Sequence, residues 1–294
     1  MEKTGETGID KSLINGTTRS IRDLLNIHGI KPSKSMGQNF LTDACVPEKI
    51  VKRSGIDMSK GVLEVGPGLG ALTSELCLVA KKIVSVELDK RLIPVLQGLF
   101  SDQKNVEIIR GDILKMDIGK LVNEKMSGME CHVCANLPYN ITTPAITAFI
   151  ESGVFKTLVV MVQKEVAHRI CAKPGSPEYG AFSVFANYHS TPEILFNVAP
   201  ESFMPRPKVT SSVVKMNIRE KSLLEKDMEK TFFRVVRAAF GQRRKTLVNA
   251  LFAVFEKTHS KADITGIVEK CGFDPRVRGE VLSIEEYILL CNHL

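Results

Sequence analysis

From Gly61 onward, short apolar runs and amphipathic segments take turns along the chain. Gly61–Val65, Lys82–Val86, Val106–Ile109, His132–Cys134 and Thr157–Val162 read as strands, with helical patterns at Leu72–Val79, Arg91–Phe100 and Thr142–Phe149 between them. Strands separated by helices cannot pair as hairpins. They need crossover connections, which commits the chain to βαβ units, a mostly parallel sheet and right-handed crossovers. Ligands in such sheets bind beyond the carboxyl ends of the strands. The residues with the most chemistry to offer fall there.

The first of these strand ends is Glu64-Val65-Gly66-Pro67-Gly68-Leu69-Gly70, a glycine-rich turn that opens a helix and lets a ligand approach the backbone. Its spacing is G-x-G-x-G. A dinucleotide fingerprint wants its third glycine at position 71, which is Ala71, and there is no phosphate-binding G-K-[ST]. Glu87 ends the second strand, where a carboxylate accepts from both hydroxyls of a ribose. Asp112 follows the third, within reach of an adenine amine. Each acid also has a local reading, as a helix cap or turn residue. Ribose and adenine acceptors beside a glycine turn without a phosphate cradle fit S-adenosylmethionine.

The fourth strand end is Asn136-Leu137-Pro138-Tyr139. Proline fixes φ and has no N–H, so the turn presents carbonyls and the Asn136 amide outward. Such a cluster suits a planar base with an exocyclic amine. The lone pair of adenine N6 is delocalised into the ring, and acceptors on its hydrogens localise it; Asn136 Oδ1 and the Pro138 carbonyl are candidates. Tyr139 is placed to stack on the base, a contact worth ~1–3 kcal/mol. Taken alone, the four residues also read as a strand-to-helix turn with a half-buried tyrosine.

The ends of the chain differ from its middle. Residues 1–18 are polar, Gly/Thr-rich and aperiodic, and are expected to be disordered. Ser20–His28 reads as an amphipathic helix with Ile21, Leu24, Leu25 and His28 on one face, followed by a basic loop containing Lys31 and Lys34. A strand is expected over Val209–Ile218, beyond the proline-rich Phe203–Lys208. From Lys221 the pattern becomes helical, and a domain boundary is placed at 219, giving residues 19–218 and 219–294. Ser283-Ile284-Glu285-Glu286 is a capping box for the last helix. Arg234, Arg237, Arg243, Arg244 and Lys245 gather around two helices, as a phosphate-tracking patch or a solvated face.

Composition limits the function classes. The net charge of +7 favours an anionic partner. No apolar run approaches the ~20 residues of a membrane span, and the acidic residues near the start are unlike a targeting peptide, so no membrane association and a cytoplasmic location are expected. Seven cysteines, an odd number, argue for reduced thiols. Cys131 and Cys134 form one C-x-x-C without a second half-site, so no metal is expected.

Nearly the whole chain carries a family resemblance. Gln38-Asn39-Phe40-Leu41, the Glu64–Gly70 turn, Glu87, Asp112, Asn136–Tyr139, Met161–Ala167, Phe203-x-Pro205-x-Pro207-Lys208-Val209 and Phe240–Leu247 are similar to the bacterial small-subunit ribosomal RNA adenine N6-dimethyltransferases. The resemblance implies a Rossmann-like α/β S-adenosylmethionine-dependent methyltransferase domain followed by a small all-α domain. It also implies dimethylation of two adjacent adenosines in the 3′-terminal hairpin loop of 16S rRNA, within the small ribosomal subunit or its precursor, by a monomer. Carried over by motif, Asn39, Leu41, Glu64, Gly66, Gly68, Glu87, Asp112 and Asn136 contact the cofactor. Asn136, Leu137, Pro138 and Tyr139 receive the base, and Phe203 is its second aromatic wall or else packing. The alternatives are the related large-subunit rRNA methyltransferases of antibiotic resistance, a non-catalytic ribosome assembly factor on the same fold, and a nicotinamide oxidoreductase. Leu137, Gln242–Lys245 and Arg278–Ser283 favour the small-subunit type.

Overall fold

The computed structural model describes residues 18–33, 36–242 and 244–294. The expected disordered tail, apart from Thr18, and the cations Lys34 and Arg243 lie outside the described residues. In chain order the elements are α1 (Thr18–Ile27), β1 (Phe40–Leu41), α2 (Cys45–Ser54), β2 (Lys60–Val65), α3 (Ala71–Cys77), β3 (Lys82–Glu87), α4 (Ile93–Leu99), β4 (Val106–Arg110), α5 (Ile118–Lys125), β5 (Glu130–Asn136), α6 (Thr142–Glu151) and β6 (Phe155–Gln163). They continue as α7 (Lys164–Ile170), α8 (Ala181–His189), β7 (Ser190–Val198), β8 (Phe203–Met204), β9 (Ser211–Ile218), α9 (Lys226–Gly241), α10 (Leu247–Phe255), α11 (Lys261–Lys270) and α12 (Ile284–Cys291).

The strands form one seven-stranded sheet in the order β4-β3-β2-β5-β6-β9-β7, with β1 and β8 as a separate antiparallel pair. β4, β3, β2, β5 and β6 run parallel, and β9 joins β6 antiparallel. Helices cover such a sheet on both faces, so its central strands are buried end to end: five of the six residues of β2 and of β3 are buried. The strand order reverses between β2 and β5. A crevice opens at that switch point, beyond the ends that carry Gly66 and Asn136.

The chain divides into two compact units. The first comprises the described residues through Lys164 with Glu193–Ile218, and the second Glu165–Pro192 with Arg219–Leu294. A single boundary at 219 therefore misplaces residues 165–192. Tyr179, Val184 and Tyr188 share one buried apolar cluster with Phe232, Val236 and Tyr287, and this burial draws the segment to the C-terminal helices. Tyr179 Oη donates to the Leu282 carbonyl at 2.9 Å, and Tyr287 Oη to that of Gly279 at 2.8 Å. A Cβ on Gly279 would stand 2.6 Å from Ala239 Cβ, which accounts for the glycine in Arg278–Ser283 as packing.

Three further sequence readings meet their structure here. In α1, Ile21, Leu24 and Leu25 are buried, whereas His28 lies past the helix end and is exposed. Ser283 Oγ accepts from Glu286 N and the Glu286 carboxylate from Ser283 N, so the capping box opens α12. Cys131 and Cys134, three apart on a strand of period two, point to opposite faces of β5, and both are buried free thiols. Among the described residues no helix is long and apolar enough to cross a membrane.

Candidate active site

At the switch point lies a cavity of about 220 Å³ in the first unit. Its lining includes Asn39, Leu41, Glu64, Gly66, Gly68, Glu87, Asp112 and Asn136–Tyr139. They meet there because the carboxyl ends of β2, β3, β4 and β5 lie at one edge of the sheet, while Asn39 and Leu41 come from the separate β1–β8 pair and the loop before it.

The glycine turn leaves β2 with Gly66 at φ 67° and Gly68 at φ 62°, left-handed conformations that L side chains avoid. Gly66 N donates to the Val86 carbonyl at 2.9 Å, tying the turn to β3. A Cβ on Gly66 would stand 3.5 Å from the Pro138 ring, so the first and fourth strand-end motifs are packed against each other. Gly70, left-handed at φ 84°, is also required by packing, since a Cβ there would meet the Phe100 ring at 2.6 Å.

Glu64 is 1% exposed, and its Oε2 accepts from Thr73 Oγ1 and Ser85 Oγ, both at 2.7 Å. Its Oε1 is buried and has no partner among the described residues. Burial, with the Glu87 charge adding to it, pushes the Glu64 carboxyl up to about 7. Glu87 is 5% exposed and accepts from Gly68 N at 3.3 Å and Asp89 N at 2.8 Å; burial raises its pKa as well. Two buried carboxylates with capacity to spare make this cavity an acceptor site. It fits a ligand that brings a cation and hydroxyl donors.

Asp112 does both things its position allowed. It caps the single turn Ile113–Lys115, accepting from Leu114 N at 3.1 Å, and it also lines the cavity. Asn39 holds its own loop through Nδ2 to the Gly37 carbonyl at 3.2 Å. The Asn39 carbonyl in turn receives Asn136 Nδ2 at 3.4 Å, leaving Asn136 Oδ1 with no donor among the described residues. Leu137 N donates to the Met161 carbonyl at 3.2 Å, which anchors the turn to β6.

Two assignments made from sequence change. The Pro138 carbonyl already accepts from Ile141 N at 3.1 Å and Thr142 Oγ1 at 3.3 Å, so both of its lone pairs are engaged in starting α6. The Leu137 carbonyl has no donor among the described residues and takes its place as candidate acceptor beside Asn136. Phe203 is the second case. Its ring is 4% exposed in a cluster with Leu41, Val46 and Val213, and it does not line the cavity. The β1–β8 pairing, with Leu41 opposite Phe203, carries it into the core.

Other residues of the site went unnoticed in the sequence. Asp89, 2% exposed, is gripped by the Arg91 guanidinium and by Gln38 Nε2 at 2.9 Å, and the arginine holds its carboxyl down to about 2. This link ties the loop before β1 to the end of β3. Leu88 and Leu114 are 54% and 40% exposed at the cavity and offer apolar walls to a planar ring. Their one signal was a leucine one or two places after each strand-end acid.

A parallel sheet with its acids and glycine turn at the switch point, and an Asn-Leu-Pro-Tyr turn closing the same cavity, defines a Rossmann-like methyltransferase. Residues 29–289 match the profile of the ribosomal RNA adenine dimethylase family. The chain belongs to that family, and it is an rRNA adenine N6-dimethyltransferase that depends on S-adenosylmethionine. A relative from Shouchella clausii, "Ribosomal RNA small subunit methyltransferase A", is 46% identical, with 92% of each chain covered. Among solved structures, a dimethyladenosine transferase from Plasmodium falciparum superposes with a TM-score of 0.72 at 27% identity, covering 85% of this chain and 95% of that one. The 23S rRNA methyltransferase ErmE reaches 0.70 at 23% identity, covering 87% and 99%, which shows the shared fold alone.

Proposed function

We propose that the chain dimethylates N6 of two adjacent adenosines in the 3′-terminal hairpin loop of 16S rRNA, acting in the cytoplasm as a monomer on the small ribosomal subunit or its precursor. The observation that carries the reading is the pair of uncommitted acceptors, Asn136 Oδ1 and the Leu137 carbonyl, beside Tyr139 at a cavity lined by buried carboxylates. The name of the Shouchella clausii relative supports the small subunit as target. The fold does not discriminate, since ErmE shares it.

S-adenosylmethionine, when bound, supplies a methyl group on a sulfonium centre for displacement in line. The residues present fit it. Glu64 Oε1, the orphaned buried acceptor, matches an ammonium group, Glu87 the two ribose hydroxyls, and Asp112 the adenine amine. Gly66 keeps the space beside Pro138 clear. On the target side, Asn136 Oδ1 and the Leu137 carbonyl orient the N6 hydrogens so that the nitrogen lone pair turns toward the donor. Tyr139 holds the base by stacking. Alignment of this kind supplies much of the rate in a displacement that needs no protein nucleophile.

Incubation with labelled donor and small-subunit particles lacking the modification, followed by nuclease digestion and mass spectrometry, tests the assignment. Particles that take up no label, or label that maps outside the two adjacent adenosines of the 3′-terminal hairpin loop, would overturn it. Glu87→Ala is expected to weaken donor binding by ~1–3 kcal/mol, the cost of losing hydrogen bonds in a buried site, with RNA affinity unchanged. Calorimetric titration of each ligand checks this.

The second unit is read as the part that positions RNA. Arg237, Arg244 and Lys245 are exposed, whereas Arg234 is partly committed, its guanidinium 4.3 Å from the Phe255 ring centroid and donating to the Val254 carbonyl at 2.8 Å. Replacing Arg243, Arg244 and Lys245 with Gln is expected to flatten the log–log salt dependence of particle binding by up to roughly one slope unit per lost phosphate contact. Donor affinity stays unchanged. An unaltered slope would move the phosphate surface to the first unit, near Lys31, Lys34, Arg206 and Lys208.

A further inference from the structure

Ser211 is the first residue of β9 and is fully buried. Its Oγ lies 2.7 Å from Tyr139 Oη, a hydrogen bond that spans 72 positions of sequence and has the favoured length for two hydroxyls. Ser211 does not line the cavity, so whatever it contributes there passes through Tyr139. The next residue faces the other way: Ser212 Oγ donates to Asn197 Oδ1 at 2.7 Å, as the alternation of a strand requires.

Both partners of the Tyr139–Ser211 bond are held by the end of β6. Met161 pairs with Asn136, and its carbonyl receives Leu137 N. Gln163, two residues on, pairs with Ser211, and Lys164 N donates to the Thr210 carbonyl at 2.9 Å. The Asn136–Tyr139 turn and Ser211 are thus mounted on one strand. Tyr139 itself begins a three-residue turn, Tyr139–Ile141, that has no side-chain cap. Its ring is half-buried, and burial raises the pKa of the hydroxyl, which stays protonated and able to hydrogen-bond.

We infer that Ser211 is a positioning residue that fixes the plane of the Tyr139 ring through this hydroxyl contact, so that the target adenine stacks in register with Asn136. The inference rests on the reading of Asn136–Tyr139 as the turn that receives the base. A serine in the Pro-rich Phe203–Val209 neighbourhood then acquires a part in methyl transfer without touching cofactor or substrate.

The test is single-turnover methylation with Ser211→Ala, Ser211→Thr, Tyr139→Phe, Tyr139→Leu and the Ser211→Ala/Tyr139→Phe double variant, with donor affinity measured for each. Ser211→Ala and Tyr139→Phe remove the same hydrogen bond from its two ends. Each is expected to slow transfer roughly 5- to 15-fold, with donor affinity unchanged. The double variant should be no slower than either single one, because only one interaction is there to lose. Ser211→Thr, which keeps the hydroxyl, should recover most of the rate. A purely structural serine would lower the melting temperature without this coupling. Parent rates for Tyr139→Phe, or losses that multiply in the double variant, overturn the inference even if Ser211→Ala folds poorly. Tyr139→Leu tests the underlying reading separately: if it transfers at the parent rate, Tyr139 is not a stacking wall and the turn does not receive the base.

Discussion

Replacing Asn136 by alanine is expected to lower single-turnover methyl transfer by ~10²–10³-fold, the range seen when one preorganised polar contact to a reacting centre is removed. Asn136 is the last residue of β5, and its side chain makes a single long contact of 3.4 Å to the Asn39 carbonyl. Losing that contact costs the fold little, because Asn39 stays anchored to Gly37 and Leu137 to Met161. The far-UV circular dichroism spectrum and melting temperature should therefore match the parent. The loss belongs to the transition state, where the N6 lone pair must be freed from the ring, and so appears in the rate more than in RNA affinity. A variant that keeps more than about a tenth of the parent rate would remove Asn136 from the mechanism.

Phe203→Ala is expected to destabilise the protein by ~3–5 kcal/mol, the cost of emptying an aromatic site in a packed core. The ring is 4% exposed among Leu41, Val46 and Val213, and its strand is half of the two-residue β1–β8 ladder that holds the loop carrying Asn39. Loss of the ring should therefore weaken donor binding as well. Phe203→Leu separates packing from stacking, because it keeps most of the volume and removes the π face. Chemical denaturation with both variants, beside methylation rates at a temperature where each is folded, checks the point. A Phe203→Leu protein that is stable yet transfers tenfold more slowly would return Phe203 to the role of second aromatic wall.

The residues written into the sequence as strand ends were legible because their signal is local. A short, largely apolar run that leads to Gly-Pro-Gly, to Glu87, to Asp112 or to Asn-Leu-Pro-Tyr announces where a strand stops. A parallel sheet then brings all such stops to one edge, so the cavity could be assembled from Glu64, Gly66, Glu87, Asp112 and Asn136 without coordinates. Their chemical types, acceptors beside a backbone left bare, pointed to an adenosyl ligand for the same reason.

What remained was decided by contacts between segments far apart in the chain. Whether the Pro138 carbonyl is free depends on how α6 starts, and whether Phe203 faces a base or a core depends on the pairing of β8 with β1. The Gln38–Asp89 link spans 51 positions and the Tyr139–Ser211 bond 72, and neither has a periodicity that could announce it. Residues 165–192 interrupt the methyltransferase sheet in sequence, after β6 and before β9, yet fold with the C-terminal helices, because the aromatic face of Tyr179 and Tyr188 finds its apolar partners there. The sequence by itself determined a mostly parallel sheet and the acceptor residues at its strand ends, since each is set by a pattern a few residues long; the strand order, with its switch point between β2 and β5 and the strand β7, came from the structure. Only the tertiary structure decided which lone pairs are spent, which rings are buried and which side chains steady the site, because burial and hydrogen bonding are properties of whole-chain packing.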